Sequence, residues 1–144
     1  MSGAAAVAVA ATFLWLGMVL AISFLEAPLK FRAPDVTLSI GLGIGRLVFR
    51  ALNTAEAILA VTILACLAVD QPGQSALAPP AVAIAVLAVQ LVFIRRLLTR
   101  RSDAVLTGQD APRSHAHHAY VVLEAVKVIA LLAGGILLLA QGSG

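Results

Sequence analysis

Four long stretches of this chain are free or nearly free of charge: Gly3 to Leu25, Ala51 to Val69, Ala76 to Ile94 and Ala119 to Ala140. By their numbering they run 23, 19, 19 and 22 residues. A helix rises about 1.5 Å per residue, so roughly 20 residues cross a hydrocarbon core about 30 Å thick. Each block is long enough to span. Barrel strands would need a period-two pattern over about ten residues, and these blocks are apolar all round. The expected fold is therefore all-α: a polytopic membrane protein forming one four-transmembrane-helix bundle over 1–144, with helices near 4–25, 48–69, 78–98 and 117–140.

Charge is sparse and gathered. Only 12% of residues are charged and the mean hydropathy is +1.02, against roughly 25% charged in soluble domains. The first loop carries Lys30 and Arg32, with Arg46 and Arg50 at the entry to the second helix. The third carries Arg95, Arg96, Arg100, Arg101 and Arg113, whereas the N-terminal tail, the loop Asp70 to Ser75 and the C-terminal tail have no Lys or Arg. Nine of the ten basic residues thus fall in loops that a four-helix chain must place on one side. Basic loops stay cytoplasmic, so an N-out, C-out chain in the cell inner membrane is expected. The pI near 9.8 follows from this placement and needs no nucleic-acid partner. Met1 to Ala5 lacks the basic start of a secretory signal, and the first block reads as a retained helix. The single Cys66, inside the second block, excludes a disulfide framework and a Cys-x-x-Cys site.

Turn chemistry agrees with four spans. Pro72-Gly73 marks a tight outer turn, Pro79-Pro80 suits the first turn of the third helix, and Pro28 and Pro34 close the first helix and shape the first loop. A polar third loop, about Arg100 to Ser114 with Gly108 and Pro112, is expected to be the most mobile segment. Gly41-x-Gly43-x-Gly45 lacks the G-x-G-x-x-G dinucleotide pattern and is expected to let an interfacial segment bend or pack closely before the second helix. Gly134, Gly135 and Ala130 suit close helix approach.

Ionisable groups at membrane depth are costly, by about 2.5–3.5 kcal/mol on insertion scales, and face partners or water. Arg46, Arg50 and Asn53 share one stripe of the second helix with Glu56 at its margin. His117, Tyr120, Glu124 and Lys127 lie within an arc of about 80° on the fourth. Glu56 and Glu124 sit at matching depth, about 9 Å in from the cytoplasmic entry at 1.5 Å per residue. Glu26 adds a third acid near that level, and Gln90 lies on the third helix. These nine residues, Glu26, Arg46, Arg50, Asn53, Glu56, His117, Tyr120, Glu124 and Lys127, form the expected intramembrane polar cluster. Glu124 and Lys127, spaced i, i+3, can pair; Glu56 can pair with Arg46, Arg50 or a neighbouring helix. Arg50-Ala51-x4-Glu56-Ala57 also aligns with His118-Ala119-x4-Glu124-Ala125 at an offset of 68, which suggests two tandem hairpins.

The cluster admits three readings: a charge lattice that holds the helices in register, a path for an ion or small solute, or a membrane-embedded enzyme or metal site. His115, His117 and His118 are the candidate metal ligands, and two of the histidines plus Glu124 on one face could ligate a divalent ion. A solvated helix start is the plainer account of that His group. No catalytic triad, phosphate loop or zinc-type Cys/His spacing is present. No catalytic residue and no cofactor is expected. The expected partners are the lipid bilayer and, on the helix faces, a second copy or another membrane protein.

Leu16-Gly17-Met18, then Phe24-Leu25-Glu26-Ala27-Pro28-Leu29-Lys30-Phe31, resembles the opening of small bacterial four-helix proteins related to the transmembrane protein 205-like domain. Gly45-Arg46-Leu47-Val48-Phe49, the basic turn after the third helix and the stretch His118 to Glu124 are similar to theirs, so the resemblance covers most of the chain. It implies an integral membrane protein of this layout and transfers no catalytic residue. The layout is more distantly similar to copper-resistance membrane domains, whose Met- and His-rich metal pattern is missing here.

Overall fold

In the computed structural model the described chain, residues 1–107 and 115–142, is carried by four continuous helices; the side chains of residues 94, 95, 97, 98, 101, 102 and 115–117 are outside the description. Helix α1, Gly3–Arg32, starts where the Ser2 hydroxyl accepts a hydrogen bond from the Ala5 N–H. It is α-helical over Gly3–Val19, π-helical over Leu20–Glu26 and α-helical over Ala27–Leu29, and ends in a 3-10 turn, Lys30–Arg32. Helix α2, Leu38–Val69, is capped by Thr37, whose hydroxyl accepts from the Ile40 N–H at 3.2 Å. The link between them turns at Asp35, φ 66°, a conformation that a short polar side chain tolerates. Helix α3 joins Gln74–Val89, a π-helical segment Gln90–Ile94 and Arg95–Leu106. Helix α4 is His115–Gly142.

The described residues contain no strand, and all four helices have stretches long and apolar enough to cross a membrane: Gly3–Arg32, Leu38–Val69, Gln74–Phe93 and His118–Gly142. α1 packs along α2 and α4, and α3 along α4; α2 meets α3 mainly at the Arg95–Leu106 end. The core between them is small and aliphatic, with Ala8, Val19, Ile63, Ala76, Ala83, Leu87 and Leu131 buried around Trp15. The outward faces are as apolar as the core: Leu47, Ile58, Val61 and Ile129 are 62–69% exposed. A water-soluble monomer rarely shows so much contiguous apolar surface, whereas lipid-facing helices require it.

The helices are longer than the charge-free blocks, and the polar residues at their ends explain why. α2 begins at Leu38 rather than near residue 48, because Thr37 supplies the cap. Gly41 and Gly45 therefore lie within a helix, and their part is close packing. A Cβ on Gly41 would overlap the Phe31 ring, and one on Gly45 would fall 2.9 Å from Lys30 Nζ. α3 begins at Gln74 with Gly73 as its cap, so Pro79 and Pro80 sit in its second turn rather than its first. Pro28 does not close α1. The π-helical turn just before it, where the Ala27 N–H bonds to Ile22 O, is wider than an α turn and makes room for the ring. α3 runs on to Leu106, past the expected start of the third loop, and Gly108, Pro112 and Arg113 lie outside the described residues.

Candidate functional site: a buried charge cluster

Lys127 projects from the middle of α4 with its side chain fully buried. Its Nζ lies 2.7 Å from Glu56 Oε1 on α2 and 2.6 Å from Glu124 Oε1, one turn away on its own helix. Trp15 Nε1 of α1 donates to Glu56 Oε1 at 2.8 Å. Gln90 Nε2 of α3 donates to Glu124 Oε1 at 2.8 Å, and Ser23 Oγ of α1 donates to Glu124 Oε2 at 2.5 Å. Every helix thus sends at least one polar side chain to the same point. Hydrogen bonds to charged groups in a low-dielectric interior are short and strong, and these tie together elements up to 101 residues apart in sequence.

The two donors to Glu124 come from irregular backbone. Ser23 lies within the π-helical segment of α1, and Gln90 opens that of α3. Such segments are rare overall and frequent at functional sites. Here each widened turn presents to Glu124 a polar group on an otherwise apolar stretch. The two segments start 70 residues apart (90 − 20) and end 68 apart (94 − 26), close to the 68-residue offset that aligns Glu56 with Glu124. Both halves of the chain therefore place a π turn in the first helix and a buried acid in the second.

The cluster's formal charge does not cancel. Among the described residues two carboxylates and one ammonium sum to −1, with all three residues at most 1% exposed. Glu56 Oε2 and Gln90 Oε1 are buried with no hydrogen-bond partner among the described residues. One more proton or a monovalent cation would complete neutrality.

A second polar layer lies towards the Lys30 end of α1. Glu26, half-buried, faces Lys30 at 3.8 Å. The Lys30 ammonium stands 5.5 Å from the Phe31 ring centre and 5.7 Å from that of Phe49, and Phe49 meets buried Tyr120 edge to face, with ring centres 5.9 Å apart. Arg46 pairs with Asp103 of α3 at 2.6 Å, not with Glu56. Arg50 is exposed and, with Asn53, lines a groove of about 490 Å³ between α2 and α3.

Of the nine residues expected to share one cluster, the structure brings together Glu56, Glu124 and Lys127. Glu26 and Tyr120 belong to the adjoining layer; Arg46, Arg50 and Asn53 face the α2–α3 groove. The division follows from helix geometry: 100° per residue turns Asn53 and Arg50 away from the inward face that Glu56 and Leu52 occupy. The side chains of His115 and His117 lie outside the description, and His118 is exposed. Among the described residues no three His, Cys, Asp or Glu side chains gather as a metal site. Trp15 and Ser23 are cluster members that the sequence reading passed over. Their signal was present, since Trp15 is the single tryptophan and Ser23 a lone hydroxyl in an aliphatic run. No family model matches the chain, and no curated protein or solved structure is significantly similar to it.

Proposed function

We propose that this chain is a small multi-pass protein of the cell inner membrane, with both termini outside, whose Glu56–Lys127–Glu124 cluster locks four helices into one register. The lock leaves their apolar outer faces for lipid, a second copy or a membrane partner. The observation that carries this reading is the convergence of Trp15, Ser23, Glu56, Gln90, Glu124 and Lys127, from all four helices, on one buried point. In a bilayer the apolar effect does not sort one helix pairing from another, so polar contacts and close packing must do so. The basic loops support the orientation, and four helices long and apolar enough to cross a membrane support the multi-pass layout. A reporter fused after Gly144 is expected to be active only outside the cytoplasm; activity only inside contradicts the orientation.

One observation favours a second reading, an occluded site for a proton or monovalent cation. Among the described residues the cluster is one positive charge short of neutral, and Glu56 Oε2 has no partner. The Glu56→Gln and Glu56→Gln/Glu124→Gln variants separate the two. The lock reading expects no proton or alkali-cation flux above that of empty vesicles. It also expects a lower melting temperature in detergent for the double variant, where the Lys127 ammonium is left without a counter-charge. Flux in wild-type vesicles that Glu56→Gln abolishes, with the protein still inserted, would instead establish the ion site.

A further inference from the structure

The groove between α2 and α3 is graded along its length. On α2 it is lined in order by Arg46, Arg50, Asn53, Thr54, Ala57 and Ile58, and on α3 by Thr99 and Leu91. α2 and α3 run in opposite directions, so Thr99 belongs to the arginine end and Leu91 to the Ile58 end. Arg46 to Ile58 spans 12 residues, about 18 Å at 1.5 Å per residue. One end thus offers guanidinium, amide and hydroxyl donors, and the other only aliphatic wall. That is the polarity profile of a phospholipid lying along a helix pair, with its headgroup level with the basic ends and its acyl chain running inward.

Charge makes the assignment more specific. Asp103 engages Arg46 at 2.6 Å and neutralises one unit. No carboxylate among the described residues lies within ion-pair distance of Arg50, which leaves one net positive charge in the groove, matched to one phosphate. Arg96 and Arg100, exposed on α3 within three residues of Thr99, add to the basic character of that end of the helix. Basic pockets between transmembrane helices on the cytoplasmic side are suited to anionic headgroups, and a planar guanidinium grips phosphate oxygens two at a time. We propose that the Arg46–Arg50–Asn53–Thr99 groove is a binding site for a single anionic phospholipid, with Arg50 as the phosphate ligand and Ile58 and Leu91 as the acyl-chain wall. This goes beyond the register lock and rests only on the chain being membrane-embedded.

The test uses the full chain, purified in detergent and titrated with phosphatidylglycerol, phosphatidylcholine or inorganic phosphate. Bound lipid is read by native mass spectrometry and stability by thermal melting. The expected result is one phosphatidylglycerol retained per chain, at least fivefold in preference to phosphatidylcholine, with a raised melting temperature. Arg50→Gln should abolish that preference, Arg50→Lys should restore part of it, and inorganic phosphate alone should raise nothing. Equal retention of the two lipids, an unchanged preference in Arg50→Gln, or the same stabilisation by free phosphate would each overturn the proposal. Release of the protein from membranes by high salt without detergent would overturn the membrane reading itself. Arg50 is exposed and outside the buried cluster, so its variants keep the wild-type fold as a reference.

Discussion

Lys127→Met is expected to destabilise the bundle by about 3–5 kcal/mol, the cost of breaking a buried ion pair by removing one partner. The methionine fills most of the same volume, so the loss is electrostatic rather than a cavity. Two carboxylates then remain in a water-excluded space with no cation, and Glu56 keeps only the Trp15 N–H while Glu124 keeps Gln90 and Ser23. Melting in detergent, followed by helical circular dichroism, should show the midpoint falling by on the order of 10 °C, taking about 2–4 °C per kcal/mol for a chain of this size. A shift within about 2 °C, the equivalent of 1 kcal/mol or less, would mean that the ammonium contributes nothing net to the packed state.

The second large effect is steric. Gly134 of α4 faces the second turn of α3, where an added Cβ would sit 3.4 Å from both Pro79 Cβ and Pro80 Cδ. That is ordinary contact, so Gly134→Ala is expected to be tolerated. Gly134→Leu pushes three further carbons into two proline rings that have no rotamer to escape to, and overpacking of this kind costs about 1–3 kcal/mol. The α3–α4 contact is the most extensive in the bundle, so the variant should also weaken the approach that brings Gln90 to Glu124. Gly17→Leu is the control, since nothing lies within 4 Å of a Cβ there. At Gly135 the neighbour is the tip of the Phe13 ring, 2.6 Å from an added Cβ, and a swing of that ring relieves much of the clash. Equal melting temperatures for Gly134→Leu and Gly17→Leu would show that the glycine is not needed for packing.

The helices were legible in the sequence because lipid leaves a backbone few options. A charge-free run of about 20 residues has only helix available to it. Their ends were less legible, because hydropathy marks where apolar residues stop and a helix stops where its caps are. Thr37 and Gly73 lie in polar stretches that hydropathy assigns to loops, and the α2 and α3 starts moved outward accordingly. The π turns could not be read. Nothing within Leu20 to Glu26 or Gln90 to Ile94 departs from ordinary helical composition, and the two widened turns carry the Ser23 and Gln90 donors that meet Glu124.

Within the site, Glu124 and Lys127 were legible as a pair because i, i+3 spacing is a local rule. The partner of Glu56 was open between Arg46, Arg50 and another helix, since a single helix wheel says which residues share a face and not what stands opposite. Packing α1 between α2 and α4 settles it: Lys127 comes from across the bundle, and Arg46 turns outward to Asp103. The same face rule that grouped nine residues overreached at Arg46, Arg50 and Asn53, which share a stripe with one another but turn away from the inward face of Glu56 and Leu52.

The central claim, that the cluster works as an ionic interhelix lock, is tested most directly by adding Glu56→Gln and Glu124→Gln to Lys127→Met. Replacing a whole buried ionic group by neutral groups of similar volume is often close to neutral for stability. The side-chain amide introduced at position 56 can still accept from Trp15, and the one at position 124 can accept from Gln90 through its oxygen while its NH2 donates to the Ser23 hydroxyl. The triple variant is therefore expected to recover most of the melting temperature lost by Lys127→Met alone. A triple variant at least as unstable as the single one would contradict it, because the loss would then lie in packing and not in the charge.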